Sequence, residues 1–283
     1  NSLAPGRIDF GVGTGFTGRR AMGFGAMKLA DMEEYIRVVM ALLAEQTAEL
    51  ALEGQRRPVR FLNPELGLIN TRDPVRLHVS AYGPKSRALT ARLGAGWLNF
   101  IGAPDSGMPE LRQMQAAWNT AGRDQADLSA VAFALGCVLA DGEPYDSARA
   151  MAQAGPRAAV LLHRAADEAL GNLPNTSPVP ASVAREVSGY VALARGFEPA
   201  DARHLANHRG HLLFVKPEER PFVTAELIRR TTFTATEPVL LDRIAALNDA
   251  GYTQFVTQIV PGQEAAIEDW GRILRALRGR RSR

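Results

Sequence analysis

Gly13, Gly15 and Gly18 follow the short apolar run "IDFGV" with the spacing G-x-G-x-x-G. After a strand, that spacing marks a dinucleotide site, where a tight turn lets backbone approach a pyrophosphate at a helix N-terminus. The context here argues against that chemistry. Gly18 runs into "RRAMGFGAMK", which holds two more glycines, and a convincing helix begins only near Met32. The acid required about 20 residues further on falls at that helix start, as Asp31, Glu33 and Glu34. A second cluster, "SAYGPKS", spans Ser80–Ser86. A strand ends at Ala81, and Gly83-Pro84 turns the chain into a helix whose first position suits proline. The N–H groups of Tyr82, Gly83, Lys85 and Ser86 can converge there on an anion, aided by the helix dipole and the Lys85 charge. Taken alone, the same stretch also serves as an ordinary strand-to-helix turn.

The histidines offer a third chemistry. His204, His208 and His211 in "HLANHRGH" share one face if the segment is helical, being at i, i+4 and i+7. A metal site there needs a further carboxylate and an assured helix, and the sequence supplies neither, so no metal is expected. His78 and His163 read as ordinary packed or surface histidines. The single cysteine, Cys137, excludes an internal disulfide and sits in "VAFALGCVLA" as a small core residue. Trp97, Trp118 and Trp270 occupy apolar strand or helix positions and read as core.

The elements that must position these groups alternate. Strands are expected at 8–12, 75–81, 97–101, 129–139 and 252–260. Asp31 is expected as an N-cap, with Glu34 completing a capping box, before a helix carrying Met32, Ile36, Val39 and Leu43 at helical spacing. Residues 54–74 hold three prolines and read as a long loop. A short helix follows Pro84 and closes at Gly94, and another runs from about Pro109 to Gly122. A helical stretch at 145–170 has a candidate interruption at Gly155-Pro156. "GNLPNTSPVP" reads as a loop, a helix follows at 182–194, 201–236 is ambiguous, and helices are expected before Gly251 and at the C-terminus. Alternation of this kind implies parallel strands joined by right-handed crossovers, in a barrel or an open doubly wound sheet.

Composition sets the outer limits. The 283 residues are 46% hydrophobic and 22% charged, with a formal net charge of +3, an ordinary globular mix. The small basic excess lies largely in the tail "RALRGRRSR", read as a solvated helix end. No basic stripe interleaves with aromatics, so no nucleic-acid partner is expected. No run nears the roughly 18 apolar residues of a membrane span, so no membrane partner is expected, and a cytoplasmic location is the default. The chain opens at Asn1 rather than Met, which leaves a leader ahead of it open.

Together, "RIDFGVGTGF", the helix "MEEYIRVVMALL", "LHVSAYGPKSRALTARLGAGWL" and "TTFTATEPVLLDRIAALNDAGYTQFVTQIVPG" resemble the luciferase-like flavin or deazaflavin oxidoreductases. The resemblance covers most of the chain. It implies a (β/α)8 TIM barrel and FMN or coenzyme F420 as cofactor, for hydride transfer with F420 or monooxygenation with reduced FMN on a small organic substrate. It places Gly13, Thr14, Gly15 and Phe16 beside the cofactor, and the turn Ala81, Tyr82, Gly83, Pro84 and Lys85 on its phosphate. The opening glycines then serve close approach to an isoalloxazine ring. The 142–236 excursion would lie over the active site, which makes His208 and His211 the catalytic candidates. Three departures stand out: some members hold the phosphate with an arginine where this chain has Thr14, others carry an acid where it has Phe16, and Ala95 replaces a frequent Asp.

Aligned this way, "RIDFGV" resembles the fourth barrel strand, and 1–283 the C-terminal two-thirds of a single barrel domain, strands 4 to 8. The chain alone is then expected to associate through its open edges and to hold no cofactor usefully. A homodimer of the full-length form is left open. The alternatives are an NAD(P)-binding Rossmann dehydrogenase and a non-catalytic fragment that binds a partner.

Overall fold

The computed structural model describes residues 1–171, 173 and 178–281. Half of the loop expected at 171–180 falls outside them, as do the last two residues of the basic tail.

In chain order, β1 (Asp9–Val12) is followed by a six-residue α1 (Phe16–Ala21) and by α2 (Leu29–Leu43). The helix expected only from Met32 therefore has a short predecessor. The expected capping box is absent: α2 starts two residues before Asp31, with Lys28 at its N-cap and no side-chain cap. Asp31 instead lies in the first turn, where its charge complements the dipole. Glu34 faces Arg37 and Arg56 at 3.8 and 3.7 Å.

The expected long loop opens late, because β2 (Ala48–Leu52) and β3 (Gln55–Val59) form an antiparallel hairpin. Its turn residues Glu53 and Gly54 have φ of 52° and 75°, the doubly left-handed geometry that matches strand twist. Next come β4 (Arg76–Ser80), α3 (Pro84–Leu93), β5 (Gly96–Phe100) and α4 (Gly107–Thr120). Gly94 closes α3 in the left-handed conformation at φ 63°, as its position implied.

The strand expected over 129–139 is two strands, β6 (Ala130–Ala134) and β7 (Val138–Leu139). The break surrounds Gly136, against which the Phe233 backbone packs so closely that a Cβ would lie 2.4 Å from its carbonyl atoms. Beyond it, α5 (Ala148–Gly171) is continuous through Pro156. An internal proline costs about 3 kcal/mol, but nearly every residue from Ala150 to Asp167 is buried, and that burial outweighs the loss. The remaining elements are α6 (Ala184–Ala194), α7 (Arg203–His208), α8 (Ala225–Thr231), β8 (Ala235–Thr236), α9 (Glu237–Ala250), β9 (Gln254–Thr257) and α10 (Ala266–Arg281).

The chain forms two compact units. The first comprises residues 1–16, 26–98 and 113–129; the second comprises 17–25, 99–112 and 130–283. In the first, β1, β4 and β5 pair in parallel, with Val12 opposite Val79 and Val79 opposite Trp97. Met32, Ile36, Val79, Trp97 and Trp118 are almost fully buried in it. In the second, β6 pairs in parallel with β9 and β7 with β8. The core there gathers around α5, with Leu162, Tyr190, Leu227 and Ile228 inaccessible to solvent. Cys137 and Trp270 are buried as expected. Among the described residues β1 pairs only with β4 and β9 only with β6. The result is an α/β fold whose strand pairs, apart from the β2–β3 hairpin, run parallel.

Candidate functional site

In the first unit, the register that sets Val12 beside Val79 also sets Gly13 beside Ser80. A Cβ on Gly13 would meet the Ser80 Cβ at 3.3 Å, so the two strand ends approach closely because one of them carries no side chain. Gly15 then takes a left-handed φ of 71°. The Thr14 carbonyl accepts the Met27 N–H at 2.9 Å, and half-buried Phe16 opens α1.

The turn from β4 into α3 has the expected form, with Gly83 extended at the N-cap and Pro84 at the first helical position. One expectation is corrected. The Gly83 N–H donates to Ser86 Oγ at 3.1 Å, and that hydroxyl donates back to the Gly83 carbonyl at 2.9 Å. The hydroxyl thus takes one of the amides expected to meet an anion, as short polar side chains do at helix starts. The amides of Lys85 and Ser86 remain, in a first turn that offers them no intrahelical acceptor. Tyr82, Gly83, Pro84 and Lys85 are exposed, while Ala81 is buried and its carbonyl accepts the Trp97 indole N–H at 2.9 Å. The contact joining the two predicted clusters is thus Gly13 on Ser80. A larger cavity of about 710 Å³ in this unit is lined by Arg76, His78, Gly96 and Ser129. It lies at the N-terminal ends of β4 and β5, whereas parallel α/β folds place their sites at the C-terminal ends.

The histidines form a separate constellation inside the second unit, and its membership differs from the expected one. α7 ends at His208, and the chain turns at Gly210, φ 75°, before His211. The three histidines of that segment therefore do not share a helical face. His204 lies apart, its ring 3.0 Å from where a Cβ on Gly23 would sit. Its place is taken by His163 of α5, expected to be ordinary. His163 Nδ1 is 2.9 Å from His211 Nδ1, and His208 Nδ1 is 3.4 Å from the same atom.

Two carboxylates hold the far sides of the rings. Asp167, one turn beyond His163 on α5, accepts from His208 Nε2 at 3.0 Å, from Arg20 at 2.9 Å and from Asn207 Nδ2 at 2.8 Å. Glu219 accepts from His163 Nε2 at 2.5 Å, from the Tyr190 hydroxyl at 3.1 Å and from Lys216 Nζ at 2.9 Å. Burial opposes ionisation of both carboxyls. It is outweighed by His208 and Arg20 at Asp167, and by His163 and Lys216 at Glu219, so both stay below the usual carboxylate range. Burial pushes His163 down. Burial, reinforced by His163 and His208, takes His211 down to about 2, so both rings are neutral. A cavity of about 180 Å³ opens beside Asp167 and Asn207, lined also by Gly23, Leu170, Phe197 and His204.

Sequence spacing missed this set because His163 and Asp167 come from α5, more than 40 residues before their partners. The local signal was a titratable pair at i, i+4, His163 and Asp167, in the alanine- and leucine-rich "AAVLLHRAADEAL".

The sequence profile of a family described as luciferase-like monooxygenase matches residues 1–254. Among solved structures, an F420-dependent secondary alcohol dehydrogenase in complex with an F420-acetone adduct is similar at a TM-score of 0.55 and 14% identity. The match covers 97% of this chain and 71% of that one. The coenzyme F420-dependent tetrahydromethanopterin reductase from Methanopyrus kandleri is similar at 0.52 and 17% identity, over 93% of this chain and 72% of that one. At such identities the likeness is one of fold. No curated protein matches the sequence.

Proposed function

The chain belongs to the luciferase-like monooxygenase family, and from that premise we propose that it is a flavin-type oxidoreductase with its cofactor at the C-terminal ends of β1 and β4. The observation that carries this reading is Gly13 against Ser80, 3.3 Å from where a Cβ would sit, next to the first turn of α3. The residues present fit a phosphorylated flavin or deazaflavin. Gly13 and Gly15 keep side chains off the face beside a planar ring. The amides of Lys85 and Ser86, the helix dipole and the exposed Lys85 ammonium would take the phosphate. Thr14 and Phe16 border the same strand end, and Ala81, Tyr82 and Pro84 shape the turn.

The bound cofactor supplies the redox chemistry, hydride transfer for F420 or oxygen activation for reduced FMN, while the protein binds and orients it. Both similar structures described above carry F420-dependent in their descriptions, which supports F420 as the first cofactor to test and FMN as the second. The substrate class is a small organic molecule. Residues 142–236 are read as an excursion of the same domain. A Rossmann site fits less well, since its pyrophosphate wants a long helix opening at Gly18, and α1 ends three residues later at Ala21.

Gly83→Val tests the turn. The native φ of −90° and ψ of 164° suit valine, and a Cβ there would meet only Ser86 Oγ at 4.0 Å. The fold should tolerate it at about 1 kcal/mol of lost capping. Cofactor affinity measured by fluorescence titration should fall at least about tenfold, with the melting temperature moved by only a few degrees. Unchanged affinity would remove the turn from the site.

A further inference from the structure

His163, His208 and His211 present a problem that hydrogen bonding alone does not solve. His163 Nε2 faces a Glu219 oxygen and His208 Nε2 faces both oxygens of Asp167. A carboxylate accepts only, so both Nε2 atoms carry the proton. Both Nδ1 atoms face His211 Nδ1, at 2.9 and 3.4 Å. An imidazole nitrogen makes one in-plane hydrogen bond, as donor or as acceptor. His211 Nδ1 can therefore pair with one of the two and leaves the other without a partner among the three rings. The other nitrogen, His211 Nε2, is buried with no hydrogen-bond partner.

We propose that His163, His208 and His211 bind one divalent transition-metal ion, zinc(II) foremost, through their three Nδ1 atoms. The ligand atoms of the three residues lie within 4.8 Å of one another. The His163–His211 and His208–His211 Nδ1 separations, 2.9 and 3.4 Å, bracket the N···N spacing of about 3.3 Å expected around a tetrahedral ion with bonds near 2.0–2.1 Å. Asp167 and Glu219 stand behind His208 and His163 as the carboxylates that fix tautomer and ring orientation in metal sites. Three imidazoles suit zinc, copper or nickel rather than magnesium or calcium. His211 is only partly buried, so an ion would reach the cluster past that residue. Arg20 and Lys216 already neutralise the two carboxylates, so an anionic fourth ligand such as hydroxide would balance part of the ion's charge. The ion would tie α5 to the turn after α7. None of these residues belongs to the flavin site proposed above, so this inference stands or falls independently of it.

The test is cobalt(II) titration of the chelator-treated full chain, followed in the visible spectrum. One equivalent should produce the intense band of a tetrahedral ion, and zinc(II) should abolish it. His211→Ala, and the more conservative His211→Gln, should weaken binding by about 100-fold or more, beyond the loss typical of an outer-shell partner. His204→Ala should leave binding unchanged. Zinc should also raise the melting temperature of the wild type, by linkage, and not that of either His211 variant. Far-UV circular dichroism confirms that the variants fold. If they do not, the wild-type band and its stoichiometry decide. Absence of saturable one-to-one binding, a weak octahedral spectrum, or wild-type affinity in folded His211→Ala would overturn the proposal.

Discussion

Glu219→Ala should destabilise the protein by about 3–5 kcal/mol, the usual cost of removing one partner from a buried ion pair. Glu219 is inaccessible to solvent, and so is Lys216. The Lys216 ammonium meets the Glu219 carboxylate at 2.9 Å, donates to the backbone carbonyls of Ala206 and Asn207, and lies over the Phe197 ring at 5.2 Å. Without the carboxylate, a buried cation, His163 Nε2 and the Tyr190 hydroxyl lose an acceptor together. The double variant Lys216→Met, Glu219→Leu should cost much less than the single one, because no uncompensated charge is left. The effect depends on pH with a defined sign. The folded-state carboxyl of Glu219 is held below its ordinary value, with burial opposing and His163 and Lys216 prevailing. Its contribution is therefore complete above the unfolded carboxyl pKa of about 4.3 and is lost as pH falls through the depressed folded value. Urea unfolding at a series of pH values measures this. A variant within about 1 kcal/mol of wild type at neutral pH would contradict it.

Gly136→Ala should be at least as damaging, and Gly136→Val more so. A Cβ at this position would lie 2.4 Å from the backbone carbonyl carbon and oxygen of Phe233 and 2.8 Å from the Thr234 nitrogen. Backbone atoms cannot rotate away as a side-chain tip can. The surrounding bonds hold the strands in place: Phe233 N–H donates to the Leu135 carbonyl at 2.7 Å, and Cys137 N–H to Thr234 Oγ1 at 3.0 Å. Relief would require separating β7 from β8, at a cost of about 3 kcal/mol or more. Gly142→Ala is the control. Its φ of 75° is strained for alanine but nothing lies within 4 Å, so it should cost only about 1 kcal/mol. Thermal melts of the two alanine variants should therefore separate widely, and coincident melts would refute the packing argument.

What the sequence disclosed follows from where the information lies along the chain. The strands at β1, β4, β5, β6 and β9 were legible from short apolar runs bounded by turn residues, and the helices between them from their 3.6-residue period. The strand-end cluster was legible because each half is local: a glycine run after one strand and a Gly-Pro turn after another. The β2–β3 hairpin was hidden because most of its residues are exposed, so no buried face writes an apolar alternation into "ALEGQRRPV". Its Glu-Gly turn also lacks the Asn-Gly or Asp-Gly signature. The split of the strand expected over 129–139 depends on Phe233, about a hundred residues away. The histidine constellation depends on contacts between α5 and residues after 200. Helical spacing in "HLANHRGH" suggested a shared face that Gly210 then breaks, and the partner that completes the set, His163, had no local mark beyond Asp167 four residues on.

The most direct measurement of the central claim is a fluorescence titration of the protein, as its full reading frame encodes it, with F420, reduced FMN and NADH in parallel. Saturable binding of F420 or reduced FMN, at least about tenfold tighter than NADH and weakened by inorganic phosphate, is the predicted result. Saturable binding of NADH with no response to either flavin-type cofactor would contradict the account.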